Sequence, residues 1–81
     1  MLKLEVRTKL SEPEAMDRIQ HFFGDILGLR QTDRTEGCIT FVGGGGFVTS
    51  IVCPENGGGS RIDLETQEWE TQVRKFAEEI H

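Results

Sequence analysis

Residues 38–53 read CITFVGGGGFVTSIVC, and this stretch decides the fold. Two β-rich runs, Cys38 to Val42 and Phe47 to Cys53, flank the four glycines at 43–46. Two such runs joined by a glycine turn predict a β-hairpin. The glycines do not match a phosphate-binding loop, because that motif continues with Lys and Ser or Thr and leads into a helix.

The hairpin has two apolar faces. A two- or four-residue turn pairs residues whose numbers sum to an odd value, so the side chains separate into two sets. One set is Cys38, Thr40, Val42, Phe47, Thr49, Ile51 and Cys53. The other set is Ile39, Phe41, Val48, Ser50 and Val52. An antiparallel sheet with helices on one side normally has a polar outer face. The second apolar face therefore predicts a covering subunit or ligand, or else an unusually apolar exposed surface.

Three further strands flank this hairpin in the sequence. Residues 2–10 and 61–66 alternate between apolar and charged side chains, which indicates strands with one buried face each. Residues 29–35 are polar and predict an edge strand. We expect the charged positions of the alternating strands to share a helix-free face with Phe41 and Ser50. These positions are Lys3, Glu5, Arg7, Arg61, Asp63 and Glu65.

Two amphipathic segments predict helices. Ser11 and Glu14 form a capping-box pattern, and Gly28 is a typical helix stop, so the first helix is predicted over residues 12–27. Its apolar stripe includes Ile26. A second helix follows Trp69, with an apolar face of Trp69, Val73, Phe76, Ala77 and Ile80.

The order of elements predicts an α+β protein with a single domain over residues 1–81. It is a βαβββ module followed by βα, in one mostly antiparallel sheet with two helices on one face. The second part looks like the start of the first part repeated. A chain of this length buries only about 60% of the surface that it exposes when unfolded, so oligomerisation is a common aid to its stability.

The composition excludes several partners. The formal net charge is −5, which disfavours a phosphate backbone, so we expect no nucleic-acid partner. No apolar run approaches the roughly 20 residues that span a bilayer, and the N-terminus lacks the apolar stretch of a signal peptide. These features predict a cytoplasmic protein without a membrane partner. Cys38 and Cys53 are expected to be reduced, unpaired and buried on the helix side, with a redox pair as the alternative.

One phrase resembles a known family. The stretch His21-Phe22-Phe23-Gly24-Asp25-Ile26-Leu27-Gly28-Leu29 is similar to the phrase that closes the helix of a βαβββ module in the vicinal oxygen chelate superfamily. This group includes glyoxalases, bleomycin-resistance proteins and extradiol dioxygenases. The hairpin from Ile39 to Pro54 looks like the closing hairpin of that module. The segment from Arg61 to Thr66, with the helix after it, looks like the opening of a second, truncated module.

The resemblance implies a metal site on the sheet, with His and Glu ligands from the first and last strands of each module. The matching positions fall near Lys3 or Glu5, near Ser50 and near Arg61, and neither histidine is among them. Only Glu5 could serve, because Lys and Arg are cations and Ser is a poor ligand. We therefore predict no metal and no other cofactor, which leaves the metal-free binding members as the closer analogy.

The predicted ligand-binding residues are Glu5, Arg7, Phe41, Ser50 and Arg61. An apolar floor flanked by polar groups suits a small-molecule site, and it equally suits a dimer interface with a polar rim. The first hypothesis is a metal-free homodimeric module that holds a small molecule between sheets. The second is a metal-dependent, glyoxalase-like enzyme that uses Glu5 and ligands from a partner chain. The third is a dimeric structural or protein-interaction module without a ligand. No nucleophile and base pair is evident, so the sequence favours binding over catalysis.

Overall fold

The computed structural model describes residues 1–81 and contains five strands and two α-helices. In chain order these elements are β1 (Leu2–Thr8), α1 (Glu12–Ile19), a π-helical segment (Gln20–Ile26), β2 (Arg30–Thr35), β3 (Cys38–Gly43), β4 (Gly46–Pro54), β5 (Ser60–Gln67) and α2 (Glu70–Ile80). The strands form one sheet in the order β1-β5-β4-β3-β2, and every neighbouring pair is antiparallel. The predicted α+β class with one antiparallel sheet is confirmed.

The fifth strand completes the sheet instead of starting another one. Leu64 of β5 pairs with Leu4 of β1 on one side and with Ser50 of β4 on the other. Strand β1 therefore pairs with β5, the last strand of the chain, and β1 and β2 are the two edges of the sheet. The segment that looks like the start of a second module lies inside the same sheet as the first.

The first helix is shorter than predicted and changes geometry. The capping box is present, since Ser11 accepts from the Glu14 backbone and Glu14 accepts from the Ser11 backbone. The α-helix ends at Ile19, and the next turns are wider, as shown by the bond from the Leu27 N–H to the Phe22 carbonyl five residues back. The wider turn shifts the phase of the apolar stripe. Ile26 therefore lies 60% exposed instead of in the core.

The core lies between one face of the sheet and both helices. Phe23 of the π-helical segment packs between Phe41 of β3 and Phe76 of α2, with ring centroids 5.9 Å and 5.3 Å away. Neither helix is long and apolar enough to cross a membrane. The fully buried side chains of the sheet include Ile39, Phe41, Val48, Ser50, Ile62, Leu64 and Thr66.

The sequence assignment of the two sheet faces is wrong. Phe41 and Ser50 are 1% and 0% exposed under the helices, not on the helix-free side. Cys38 and Cys53 lie on the helix-free side, half-buried and with free thiols. The cause is the register across the β4–β5 loop, which pairs Ser50 with apolar Leu64. The charged positions of β5 consequently share a face with the cysteines.

The glycine hairpin has a fixed tip. Gly44 and Gly45 have φ values of 58° and 81°, as a tight two-residue turn requires. The indole N–H of Trp69 donates to the Gly43 carbonyl at 2.9 Å. A Cβ on Gly44 would come 2.8 Å from Cζ2 of Trp69. The start of α2 is thereby held against the end of the hairpin.

Candidate binding surface

The side of the sheet without helices is the candidate site, and it is called here the helix-free face. It carries alternate residues of all five strands, as the pairing registers show. Its members are Lys3, Glu5 and Arg7 of β1, Arg61, Asp63, Glu65 and Gln67 of β5, Phe47, Thr49, Ile51 and Cys53 of β4, Cys38, Thr40 and Val42 of β3, and Arg30, Asp33 and Thr35 of β2.

The central strands give this face an apolar strip. Ile51 is 43% exposed, one of the large apolar side chains left most open to solvent. Phe47 and Val42 pair across the hairpin and are half-buried. Thr40 and Thr49 pair beside them, with their hydroxyl oxygens 3.3 Å apart. The middle of the face is therefore less polar than the outside of a solvated antiparallel sheet.

The outer strands β1 and β5 bring like charges together. Arg7 lies directly opposite Arg61, and Glu5 lies directly opposite Asp63 in the neighbouring row. We call these two pairs the cationic row and the acidic row. Like charges directly opposite each other destabilise a sheet. Each row is therefore an unfavourable arrangement unless other charges compensate it.

Neighbouring charges compensate the rows only in part. Arg7 contacts Glu5 at 3.3 Å and Glu55 of the β4–β5 loop at 3.1 Å. Arg61 Nε lies 3.6 Å from Asp63 and 3.8 Å from Glu5, beyond hydrogen-bond distance in both cases. This nitrogen is shielded from solvent and has no hydrogen-bond partner. Arg61 therefore has carboxylates nearby, but its Nε donates no hydrogen bond to them.

The charge environment raises the pKa of Arg61. The largest cause is the Asp63 carboxylate, followed by Cys53, while partial burial acts in the opposite direction. A raised pKa means that folding favours the charged guanidinium. The associated stabilisation is present at all pH values below the ordinary titration range of arginine and is lost only above it. Arg61 is therefore a permanent cation on this face.

A concavity of about 350 Å³ lies where β1, β5 and β4 meet on this face. Ile51 provides an apolar wall, and Lys3 approaches Glu65 to 3.9 Å at its edge. The site is open on the solvent side because a single sheet supplies only a floor. The lining residues are Lys3, Leu4, Glu5, Thr49, Ile51, Asp63, Leu64 and Glu65.

The structure brings three of the five predicted site residues together and separates the other two. Glu5, Arg7 and Arg61 are neighbours on β1 and β5. Phe41 and Ser50 lie on the opposite side of the sheet, in the core. Thr49, Ile51 and Asp63 were not among the predicted site residues. The alternation of residues 61–66 pointed to Asp63, but only the strand register places Thr49 and Ile51 beside it.

The residues on this face do not suit a metal ion. Glu5 is the only donor among the positions that the family resemblance indicates, since Arg61 is a cation and Ser50 lies behind the sheet. No group of three His, Cys, Asp or Glu side chains is arranged to hold a metal ion. His21 pairs with Asp25 at 3.2 Å on the π-helical segment, away from the concavity. The donor set therefore gives no support to metal-dependent chemistry here.

No protein-family model matches the chain, and no curated protein has significant sequence similarity to it. The resemblance to the vicinal oxygen chelate superfamily stays an expectation. A function has to be inferred from the geometry and chemistry of the helix-free face.

Proposed function

We propose that this protein is a metal-free, homodimeric module that binds a small molecule on the helix-free face. The observation that carries the proposal is the concavity between β1, β5 and β4, where Ile51 meets a ring of charged side chains. Ligand sites are typically apolar cavities of about 300–1,000 Å³ with a few convergent polar groups. The concavity of about 350 Å³ lies at the lower end of this range.

The ligand that fits has a small apolar body and a polar end. Ile51 offers an apolar contact, and Thr49, whose hydroxyl oxygen lies 3.3 Å from that of Thr40, lines the same concavity. Glu5 and Asp63 are held by contacts of 3.3–3.8 Å with the two arginines, so their oxygens keep lone pairs free for a ligand. The resemblance to metal-free members of the vicinal oxygen chelate superfamily supports the same proposal at the level of fold.

A second copy of the chain completes the site in this proposal. The concavity is open to solvent, whereas bound small molecules are normally buried over most of their surface. The exposed side chain of Ile51 and the half-buried Phe47 and Val42 would also be covered by a second sheet. Without a ligand, the same arrangement would be the third sequence hypothesis, a dimeric interaction module.

Two aromatic probes of opposite charge, benzylamine and benzoate, test the proposal. Each is titrated to millimolar concentration into ¹⁵N-labelled protein, and the amide shifts are followed by NMR. We expect shifts to cluster at Glu5, Thr49, Ile51 and Asp63. No shifts with either probe, or shifts confined to the helix side, would contradict a ligand site on this face.

A matched pair of variants separates the site from the rest of the surface. Thr49→Phe fills the concavity and should abolish the clustered shifts. Thr71→Phe places the same side chain on an exposed position of α2 and should leave them unchanged. Equal effects of both changes would show that the response does not come from the concavity.

A further inference from the structure

We infer that the second copy docks on the helix-free face through its two charged rows, related by a two-fold axis that lies between the stacked sheets. The inference deepens the proposed function and rests on it for the choice of face, but its test needs no ligand. The axis runs perpendicular to the strands, midway between the cationic row and the acidic row.

The arrangement of the rows makes the face complementary to itself. Arg7 and Arg61 form one row and Glu5 and Asp63 form the next, so the sign of charge reverses from row to row. Rotation about the stated axis places each row over the row of opposite sign in the other copy. Arg61 then meets the partner's Asp63, and Arg7 meets the partner's Glu5. Each contact occurs twice, as an isologous interface requires.

This contact accounts for two features that the isolated chain leaves unexplained. The like-charge pairs would be unfavourable alone, and they become favourable when the opposite row of a second copy faces them. The shielded Nε of Arg61, which has no hydrogen-bond partner within the chain, gains a carboxylate across the interface. The same rotation places the exposed Ile51 of one copy over the partner's Cys53. The interface thus has an apolar centre beside its charges.

Net charge also favours a second copy over other occupants. The strands of the helix-free face carry four cations and four carboxylates, so the face is neutral although the chain carries −5. The cations are Lys3, Arg7, Arg30 and Arg61, and the carboxylates are Glu5, Asp33, Asp63 and Glu65. When two acidic chains approach through this neutral face, the two facing surfaces do not repel each other. A nucleic acid or an anionic membrane surface would need a positive face.

Single charge reversals and their mixture test this pairing. Arg61→Glu places Glu against the partner's Asp63 twice, and Asp63→Arg places Arg against the partner's Arg61 twice. Each homodimer should weaken at least about a hundredfold, because like-charge contacts cost several kcal/mol and 1.4 kcal/mol is tenfold. In an equimolar mixture a heterodimer can form, in which one contact is a Glu–Arg pair and the other is an Asp–Arg pair. Both contacts are then attractive. Sedimentation should therefore show a heterodimer of twice the 9.1 kDa chain mass.

The double variant, Arg61→Glu with Asp63→Arg, is the matched control. It exchanges the two charges within one chain and should dimerise like the wild type. Mixing cannot repair damage within a chain, so recovery in the mixture cannot come from restored folding. Circular dichroism confirms that each single variant is folded.

The inference is overturned if the wild type is a monomer at high micromolar concentration, or if a dimer persists unchanged in both single variants. A dimer that persists in both single variants leaves the proposed function intact, whereas a monomeric wild type also removes the homodimer from it. The probe-binding test still reports separately on the ligand site, because it follows the concavity itself.

Discussion

Glu5 and Asp63 lie directly opposite each other on β1 and β5, two carboxylates in one cross-strand pair. The next row repeats the pattern with opposite sign, since Arg7 lies opposite Arg61. Charges that alternate in sign along each strand are ordinary for a solvated strand. A register that places like charges opposite each other, however, lowers the stability of the sheet. Positions that break a local rule are often functional, and here the acidic row lines the concavity.

The two sheet faces differ in what they contribute to stability. Phe41 is 1% exposed and contacts Phe23, so Phe41→Ala should lower the free energy of unfolding by about 3–5 kcal/mol. Phe47→Ala removes the same atoms from a half-buried position on the helix-free face. It should cost no more than about 1.5 kcal/mol. Urea denaturation followed by circular dichroism measures both, at protein concentrations low enough that the chain is monomeric and Phe47 is not covered by a second copy. A larger cost for Phe47 would reverse the assignment of the faces.

Two buried hydroxyl groups provide a second comparison. Ser50 Oγ is buried without a hydrogen-bond partner, whereas Thr66 donates to the Phe47 carbonyl at 2.7 Å. Ser50→Ala should therefore leave the free energy of unfolding unchanged or raise it. Thr66→Val should lower it by about 1 kcal/mol, because a net hydrogen bond is lost. Thermal unfolding of the two variants decides the matter, and a costly Ser50→Ala would reveal a partner for this hydroxyl.

The hairpin tip supplies a third test. Gly44 and Gly45 both have positive φ, so alanine is strained at either position. Only at Gly44 would the new Cβ meet Trp69, at 2.8 Å, while the space around Gly45 is open. Gly44→Ala should therefore destabilise the protein more than Gly45→Ala. In a Trp69→Leu background the two costs should become similar. If they already agree in the wild-type background, the packing of the indole on the hairpin is not as described.

A chelator should have no effect on this protein. Because no three His, Cys, Asp or Glu side chains are grouped to hold an ion, purified protein should contain no stoichiometric transition metal. Its melting temperature should be the same with and without EDTA. Elemental analysis gives the direct answer, and one metal per chain or per dimer would favour the enzyme hypothesis over the binding module.

The sequence was sufficient for the elements and insufficient for their relative register. Period-two alternation and the glycine turn located four strands, and the polar run at residues 29–35 located the edge strand, because these signals are local. Which hairpin set faces the helices depends on how β5 pairs with β4 across a glycine-rich loop, and no local signal sets that pairing. The pairing of Ile51 with Asp63 moved Phe41 and Ser50 out of the predicted site.

The first helix shows the same limit in another form. Its start could be predicted from Ser11 and Glu14, since a capping box depends on residues close together in the sequence. Its change to π geometry after Ile19 was not, because the α and π patterns of an apolar stripe differ by one residue per turn. The exposure of Ile26 is the visible consequence.

The central claim is that a second copy covers the helix-free face, and the two cysteines of the chain are placed to report on it. Both lie on that face, and Cys38→Ser leaves Cys53 as the sole thiol, beside Arg61. The rate at which Ellman's reagent modifies Cys53 is measured as protein concentration rises from low to high micromolar. The account predicts that the rate falls several-fold. With Arg61→Glu added, the rate should no longer depend on protein concentration, whatever its value in dilute solution. With Arg61 retained, a rate that does not depend on protein concentration would contradict the claim.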